Sequence, residues 1–246
     1  MFYYYGAKHR YAAKYPPPLH RIVVEPFAGS AGYSLYHLQR GNIDGAILIE
    51  KDPRVVELWR RLLLMSPAEV LAIPRPEPGT ITEDFLWMTA AASNALAKLS
   101  RYKFTERANG VAEAMLKRIA KMLPFVQGRV LILEASYENA PDIEATWFID
   151  PPYQPTNGSH ALSQGKGYAH GCDSESIDYD ALGIWCQERR GQVIVCEQEG
   201  ADWLPFQSSY WGFNTIGVKS HEVIWTKPWI KKPPPPPSGE DSPMPS

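Results

Sequence analysis

The chain has 246 residues, with 25 lysines and arginines against 27 aspartates and glutamates, a formal net charge of -2. This length suits one large α/β domain carrying a small insert, and the charge balance excludes a histone-like polycation, so any nucleic-acid surface has to be a local patch. The three cysteines (Cys172, Cys186, Cys196) include no C-x-x-C pair, which points to a reducing compartment and indicates neither a disulfide framework nor a zinc knuckle.

The N-terminal stretch MFYYYGAKHRY lacks the apolar core of a signal peptide. No apolar run approaches the roughly 20 residues of a membrane-crossing helix. The expectation is a soluble cytoplasmic protein with no membrane partner. Residues 21–25 form a short β-branched run that stops at Pro26 and a glycine-rich turn, and residues 34–40 have helical character. A second buried strand is expected over 46–50, then a helix over 53–64, since proline is well placed at a first helical turn. Strands are expected at 130–134, 146–149 and 192–196, and a terminal hairpin pairs 208–213 with 222–226. Residues 66–127 show no convincing strand. Within them Ala108, Val111, Ala112, Met115, Leu116, Ile119 and Leu123 recur at helical spacing. The alternation of strand and helix predicts an α/β fold with a mostly parallel sheet. Residues 1–65 and 128–230 would form its core, 66–127 a mainly helical insert, and 231–246 a proline-rich disordered tail.

Two motifs carry the chemistry. The first is Asp150-Pro151-Pro152-Tyr153, directly after a predicted strand, where open α/β sheets place their ligands. Proline fixes φ and removes a donor. One carboxylate oxygen and the Pro151 carbonyl can then receive both hydrogens of a planar amino group, and Tyr153 offers a flat face to a base. The second is Glu25-Pro26-Phe27-Ala28-Gly29-Ser30-Ala31-Gly32, after the first strand. Its small residues allow a cofactor to approach the backbone closely. It lacks the Lys-Ser/Thr of a phosphate-cradling loop and the dinucleotide G-x-G-x-x-G spacing. An acid at its mouth would repel a pyrophosphate, so the cofactor expected is a nucleoside carrying positive charge. Glu50, ending the second strand, is placed to accept hydrogen bonds from ribose hydroxyls.

Together with the leading Tyr4-Tyr5-Gly6-Ala7-Lys8, these motifs resemble the DNA adenine methylase (Dam-like) family of amino-methyltransferases. The resemblance covers about residues 3–227, including Glu222-Val223-Ile224-Trp225-Thr226, which is similar to that family's closing strand. It implies a Rossmann-like class I methyltransferase sheet, S-adenosylmethionine as methyl donor and double-stranded DNA as partner; a restriction endonuclease counterpart is compatible with it. Tyr4 and Lys8 match the element that encloses the donor, while Glu25, Pro26, Phe27, Gly29 and Gly32 match the turn around its methionine moiety. Glu50 matches the ribose-binding acid, and Asp150, Pro151, Pro152 and Tyr153 the residues that hold the target amine. The sequence departs from the pattern at Tyr4, usually Trp, and at Ala7, usually Gly. It departs again at Ser136, which precedes Tyr137 where the family often places Asp against the cofactor adenine.

A phosphate-binding surface is expected where Lys98, Arg101, Lys103, Arg107, Lys117, Arg118 and Lys121 outnumber Glu106 and Glu113 within residues 98–121, a surplus of five positive charges. Tyr102 and Phe104 lie among them as candidate wedges or stacking faces. The loop 154–174, with His160 and His170, is expected to close over a flipped base. Transfer to the 6-amino group of adenine is the favoured reading. Transfer to the cytosine 4-amino group, a protein-glutamine methylase and a catalytically idle DNA-binding protein on the same scaffold are the alternatives. A cytosine ring-carbon methylase, which needs a Pro-Cys nucleophile, is disfavoured because none of the three cysteines follows a proline.

Overall fold

The computed structural model describes residues 2–4, 8–91, 101–155, 171–213 and 219–227. Lys98, most of the expected closing loop with His160 and His170, and the tail fall outside them. Strands β1 (Ile22–Glu25), β2 (Gly45–Glu50), β5 (Val130–Glu134), β6 (Glu144–Ile149) and β7 (Arg190–Gln198) run parallel, and β8 (Gln207–Phe213) and β9 (Lys219–Thr226) form an antiparallel hairpin at one edge. Among the described residues these seven make one sheet in the order β5-β2-β1-β6-β7-β9-β8. The chain winds outward from β1 through β2 to β5, then returns to the other side of β1 with β6. The carboxyl ends of β1 and β6 therefore flank the point where the winding reverses, where sheets of this kind bind ligands. The result is an α/β fold with a mostly parallel sheet, compatible with a Rossmann-like arrangement.

The helices start where the sequence supplies caps. Asp52 accepts from the Arg54 amide and Pro53 opens α2 (Pro53–Leu64). Ser66 and Glu69 form a capping box on α3 (Pro67–Leu71). Thr105 caps α5 (Glu106–Val126), and Asp178 caps α6 (Tyr179–Glu188). Helix α1 (Gly32–Gln39) is the exception. Its N-cap, Ala31, sits in the left-handed region at φ 50° and offers no side-chain acceptor. The carboxylate of Glu25, from the end of β1, caps α1 instead by accepting from the Ser34 amide at 2.6 Å.

Helix α5 buries Ala108, Ala112, Met115, Leu116, Ile119 and Leu123 on one face, as the periodicity predicts. That face joins the apolar cluster that holds Val23, Leu48 and Trp59, together with Leu86 and Met88 of α4 (Phe85–Ala91), so one core runs through the sheet and the described part of 66–127. The expectation that this segment lacks strands is corrected. Strand β3 (Ile81–Thr82) pairs antiparallel with β4 (Tyr102–Lys103), each too short to give a period-2 signal. Phe104 is corrected as well. It is fully buried, edge-on to Trp87, and is a core residue rather than a wedge for bases. Tyr102 is half-buried against the same core, while Arg101, Lys103, Arg107, Lys117 and Lys121 are exposed and Arg118 half-exposed.

Candidate active site

A cavity of about 370 Å³ opens at the carboxyl ends of β1, β2, β5 and β6. Its walls include Tyr4, Lys8, Glu25, Pro26, Phe27, Gly29, Gly32, Glu50, Ser136, Tyr137 and Asp150, which are all the residues expected to meet the cofactor. Pro152 also lines it, and the segment 176–181 closes one side through Ser176, Ile177, Asp178 and Ala181.

The glycine-rich turn is shaped for close approach. Gly29 adopts φ +47°, and a Cβ there would stand 2.7 Å from the Tyr4 ring. A Cβ on Gly32 would stand 2.6 Å from the His9 backbone nitrogen. Glycine is therefore required at both positions by the N-terminal segment that roofs the turn. The turn is also pinned from below: the Gly29 amide donates to Glu50 Oε2 at 2.8 Å, and the Trp59 indole donates to the Gly29 carbonyl at 2.8 Å.

Three acids at strand ends do different work. Glu25 has one oxygen committed to the Ser34 amide, and burial pushes its pKa up to about 7 against that hydrogen bond. Glu50 accepts from three backbone amides, those of Gly29, Lys51 and Asp52, and burial still raises its pKa. A carboxylate has about four acceptor sites, so Glu50 retains capacity for one hydroxyl. Asp150 receives an ion pair from Lys8 Nζ at 2.9 Å. Burial pushes its pKa up to about 6; Lys8 opposes the shift and Glu222 adds to it.

Lys8 is the hub of this corner. Its ammonium donates to the Tyr153 hydroxyl at 2.7 Å and lies 3.6 Å from Glu222 Oε2. Burial works against its charge, but the carboxylates of Asp150 and Glu222 prevail and hold it protonated. Tyr153 in turn donates to Glu222 Oε2 at 3.1 Å, and Tyr15 donates to Glu222 Oε1. The ring expected to stack on a base thus has the Lys8 ammonium 4.8 Å from its centre, and Tyr153 is not among the residues lining the cavity. Pro151 is absent from that lining too. Elsewhere in the cavity Phe27 stacks on Tyr137 (centroids 5.6 Å apart, 30° between planes), and both residues line it. Ser136 donates its hydroxyl to Glu138, whose carboxylate also lines the cavity two residues beyond the position where the family often has Asp.

Sequence reasoning missed Glu222 as part of this corner, and Glu197 and Tyr179 behind it. Glu197 is fully buried and accepts from the amides of Gln154 and Gln198 and from the Trp203 indole. Tyr179 donates to the Pro152 carbonyl at 2.7 Å. Cys172 lines the cavity, but burial, followed by the charges of Glu50 and Asp52, pushes its thiol up to about 11. It stays a neutral thiol, poorly suited to nucleophilic work.

No protein-family model matches the chain, and no curated protein matches it either.

Proposed function

We propose that the chain is a DNA methyltransferase of the class I, Rossmann-like type, which moves a methyl group from S-adenosylmethionine to the 6-amino group of adenine. The observation that carries this reading is that Asp150, at the end of β6, faces the same cavity as the glycine-rich turn after β1. An acceptor for an amine and a cradle for a cofactor thus share one space. The residues present fit S-adenosylmethionine on two counts. The aromatic pair Phe27 and Tyr137 lines the cavity and suits packing against an adenine, and buried acids face a cavity that a cationic nucleoside would fill.

In this reading Glu25 pairs with a positive group of the donor, Glu50 accepts from ribose hydroxyls, and Phe27 with Tyr137 packs against the adenine. S-adenosylmethionine supplies a methyl already activated by positive charge on sulfur, so the chain's task is mainly alignment. Asp150 accepts one hydrogen of the target amine through the oxygen that Lys8 leaves free, and the Pro151 carbonyl accepts the other. These bonds favour a more tetrahedral nitrogen and stabilise the positive charge that develops on it. The base reaches this place by leaving the duplex. Exposed Arg101, Lys103, Arg107 and Lys117, with half-buried Tyr102, supply the phosphate-binding side chains among the described residues.

The test is transfer of labelled methyl from S-adenosylmethionine to duplex DNA, followed by digestion to nucleosides. Label in 6-methyladenine is the expected result. Label in 4-methylcytosine would correct the base, and DNA binding without label, at saturating donor, would sink the enzyme reading.

A further inference from the structure

Proline fixes φ at 151 and 152, and Pro152 holds ψ of residue 151 in the extended region, so the Asp150-Pro151-Pro152 unit is locally stiff; how that stiff unit is set against the sheet depends on what holds the residues after it. The residues that follow are held by two anchors from distant elements. Tyr179, the first residue of α6, donates its hydroxyl to the Pro152 carbonyl at 2.7 Å. Glu197, near the end of β7, accepts the Gln154 amide at 3.0 Å through Oε2, while the Gln198 side chain donates to the Gln154 carbonyl. Trp203 links the anchors. Its indole N–H donates to the same Glu197 oxygen at 3.0 Å, and its ring lies against Tyr179 with centroids 5.7 Å apart.

We infer that Tyr179 and Glu197 are positioning residues: through Pro152 and Gln154 they set the direction in which the Pro151 carbonyl points beside Asp150. This rests on the methyltransferase reading. Neither side chain is assigned a contact with substrate or donor, so their loss degrades the alignment of the amine and not the binding of S-adenosylmethionine. An acceptor misplaced by about 1 Å costs up to about a hundredfold in rate, and losing one of two anchors is expected to cost about tenfold.

Tyr179→Phe is the deciding variant, because it removes one O–H and keeps the ring against Trp203. With saturating donor and DNA, its single-turnover methylation rate should fall about tenfold, while the donor Kd by calorimetry and the melting temperature stay near wild type. Glu197→Gln keeps an oxygen for the Gln154 amide and the Trp203 indole but turns its NH2 against the Gln198 amide, so it should retain a faster rate than Glu197→Met, which loses every one of these bonds. A Tyr179→Phe rate equal to wild type, or a loss appearing in donor Kd instead of the rate, overturns the inference while leaving the methyltransferase reading intact. A wild-type protein that labels no DNA amine overturns both.

Discussion

Replacing Lys8 with methionine is the sharpest physical test of the site's electrostatics. The ammonium lies 2.9 Å from Asp150 and 3.6 Å from Glu222, and the lysine side chain is only 10% exposed. At an effective dielectric of ~20 those contacts are worth about 6 and 5 kcal/mol gross. Desolvation of the three charges offsets most of this, and removing one partner of a buried pair typically costs about 3–5 kcal/mol. For a chain of this size that corresponds to a melting temperature lower by roughly 6–20 °C. The loss has a definite pH dependence. Without Lys8 the pKa of Asp150, already about 6, rises further, because the group that opposed the shift is gone. An acid whose folded pKa lies above its unfolded one binds more protons when folded, so its protonation favours the fold as pH falls through the folded pKa. The deficit of Lys8→Met should therefore be largest near pH 8 and shrink by pH 5.5. Urea titrations of both proteins at the two pH values measure it. A deficit that is absent, or that grows on acidification, refutes the charge assignment.

Asp150→Ala should abolish methyl transfer to DNA while leaving the circular dichroism spectrum unchanged; retained turnover eliminates the amine-holding role. In the wild type, kcat/KM for the donor, which reports the unliganded protein, should fall at least tenfold per pH unit below about 6, because protonated Asp150 cannot accept both of its bonds; a flat profile from pH 7 to pH 5 argues against it. Donor affinity should weaken as pH drops through about 7, where Glu25 takes up a proton and loses its charge, and calorimetry on Glu25→Gln should show that dependence removed. Gly32→Ala drives a Cβ into the His9 backbone and should raise the donor Kd at least tenfold by lifting the N-terminal roof. The triple change of Lys103, Arg107 and Lys117 to alanine should lower the slope of log affinity for DNA against log salt by about 2.7; an unchanged slope moves the phosphate surface elsewhere.

The sheet was legible because its central strands are short β-branched runs that end in proline, glycine or acid. The run at 130–134 and the helix at 53–64 coincide with β5 and α2. Helix α6 escaped notice for a physical reason. Gly183 weakens its helical pattern, yet is needed because a Cβ there would stand 2.9 Å from the Trp203 carbonyl; the cap at Asp178 was the signal available. The placement of cofactor residues at strand ends followed from motif order. What their side chains touch did not. Glu50 reads as a free acid and is instead tied to three backbone amides. Glu197 and Glu222 read as the polar ends of ordinary strands, because their partners Gln154, Trp203, Tyr15 and Tyr153 are assembled only by the fold.

The distribution of charge at the site bears on which ligand the fold is built to take. Among the described residues, the cavity is lined by Glu25, Glu50, Glu138, Asp150 and Asp178 and, of the cations, by Lys8 and Lys51. Glu25 and Glu50 are both buried, and carboxylates without matching cations are costly to desolvate. Backbone amides carry part of that cost at Glu50, and the α1 amide part of it at Glu25. The remainder shows as the upward shifts of Glu25 and Asp150. An anionic nucleotide would add to the repulsion at every one of these positions. A cationic nucleoside relieves it, and relieves it most at Glu25, where one carboxylate oxygen is committed to the helix and the residue still lines the cavity. Binding of such a ligand should therefore return the Glu25 pKa toward the ordinary carboxylate range, with proton release when the complex forms near pH 7. Calorimetry in two buffers of different ionisation enthalpy reads that release directly. Proton uptake, or no exchange, would mean that the cation is held elsewhere in the cavity.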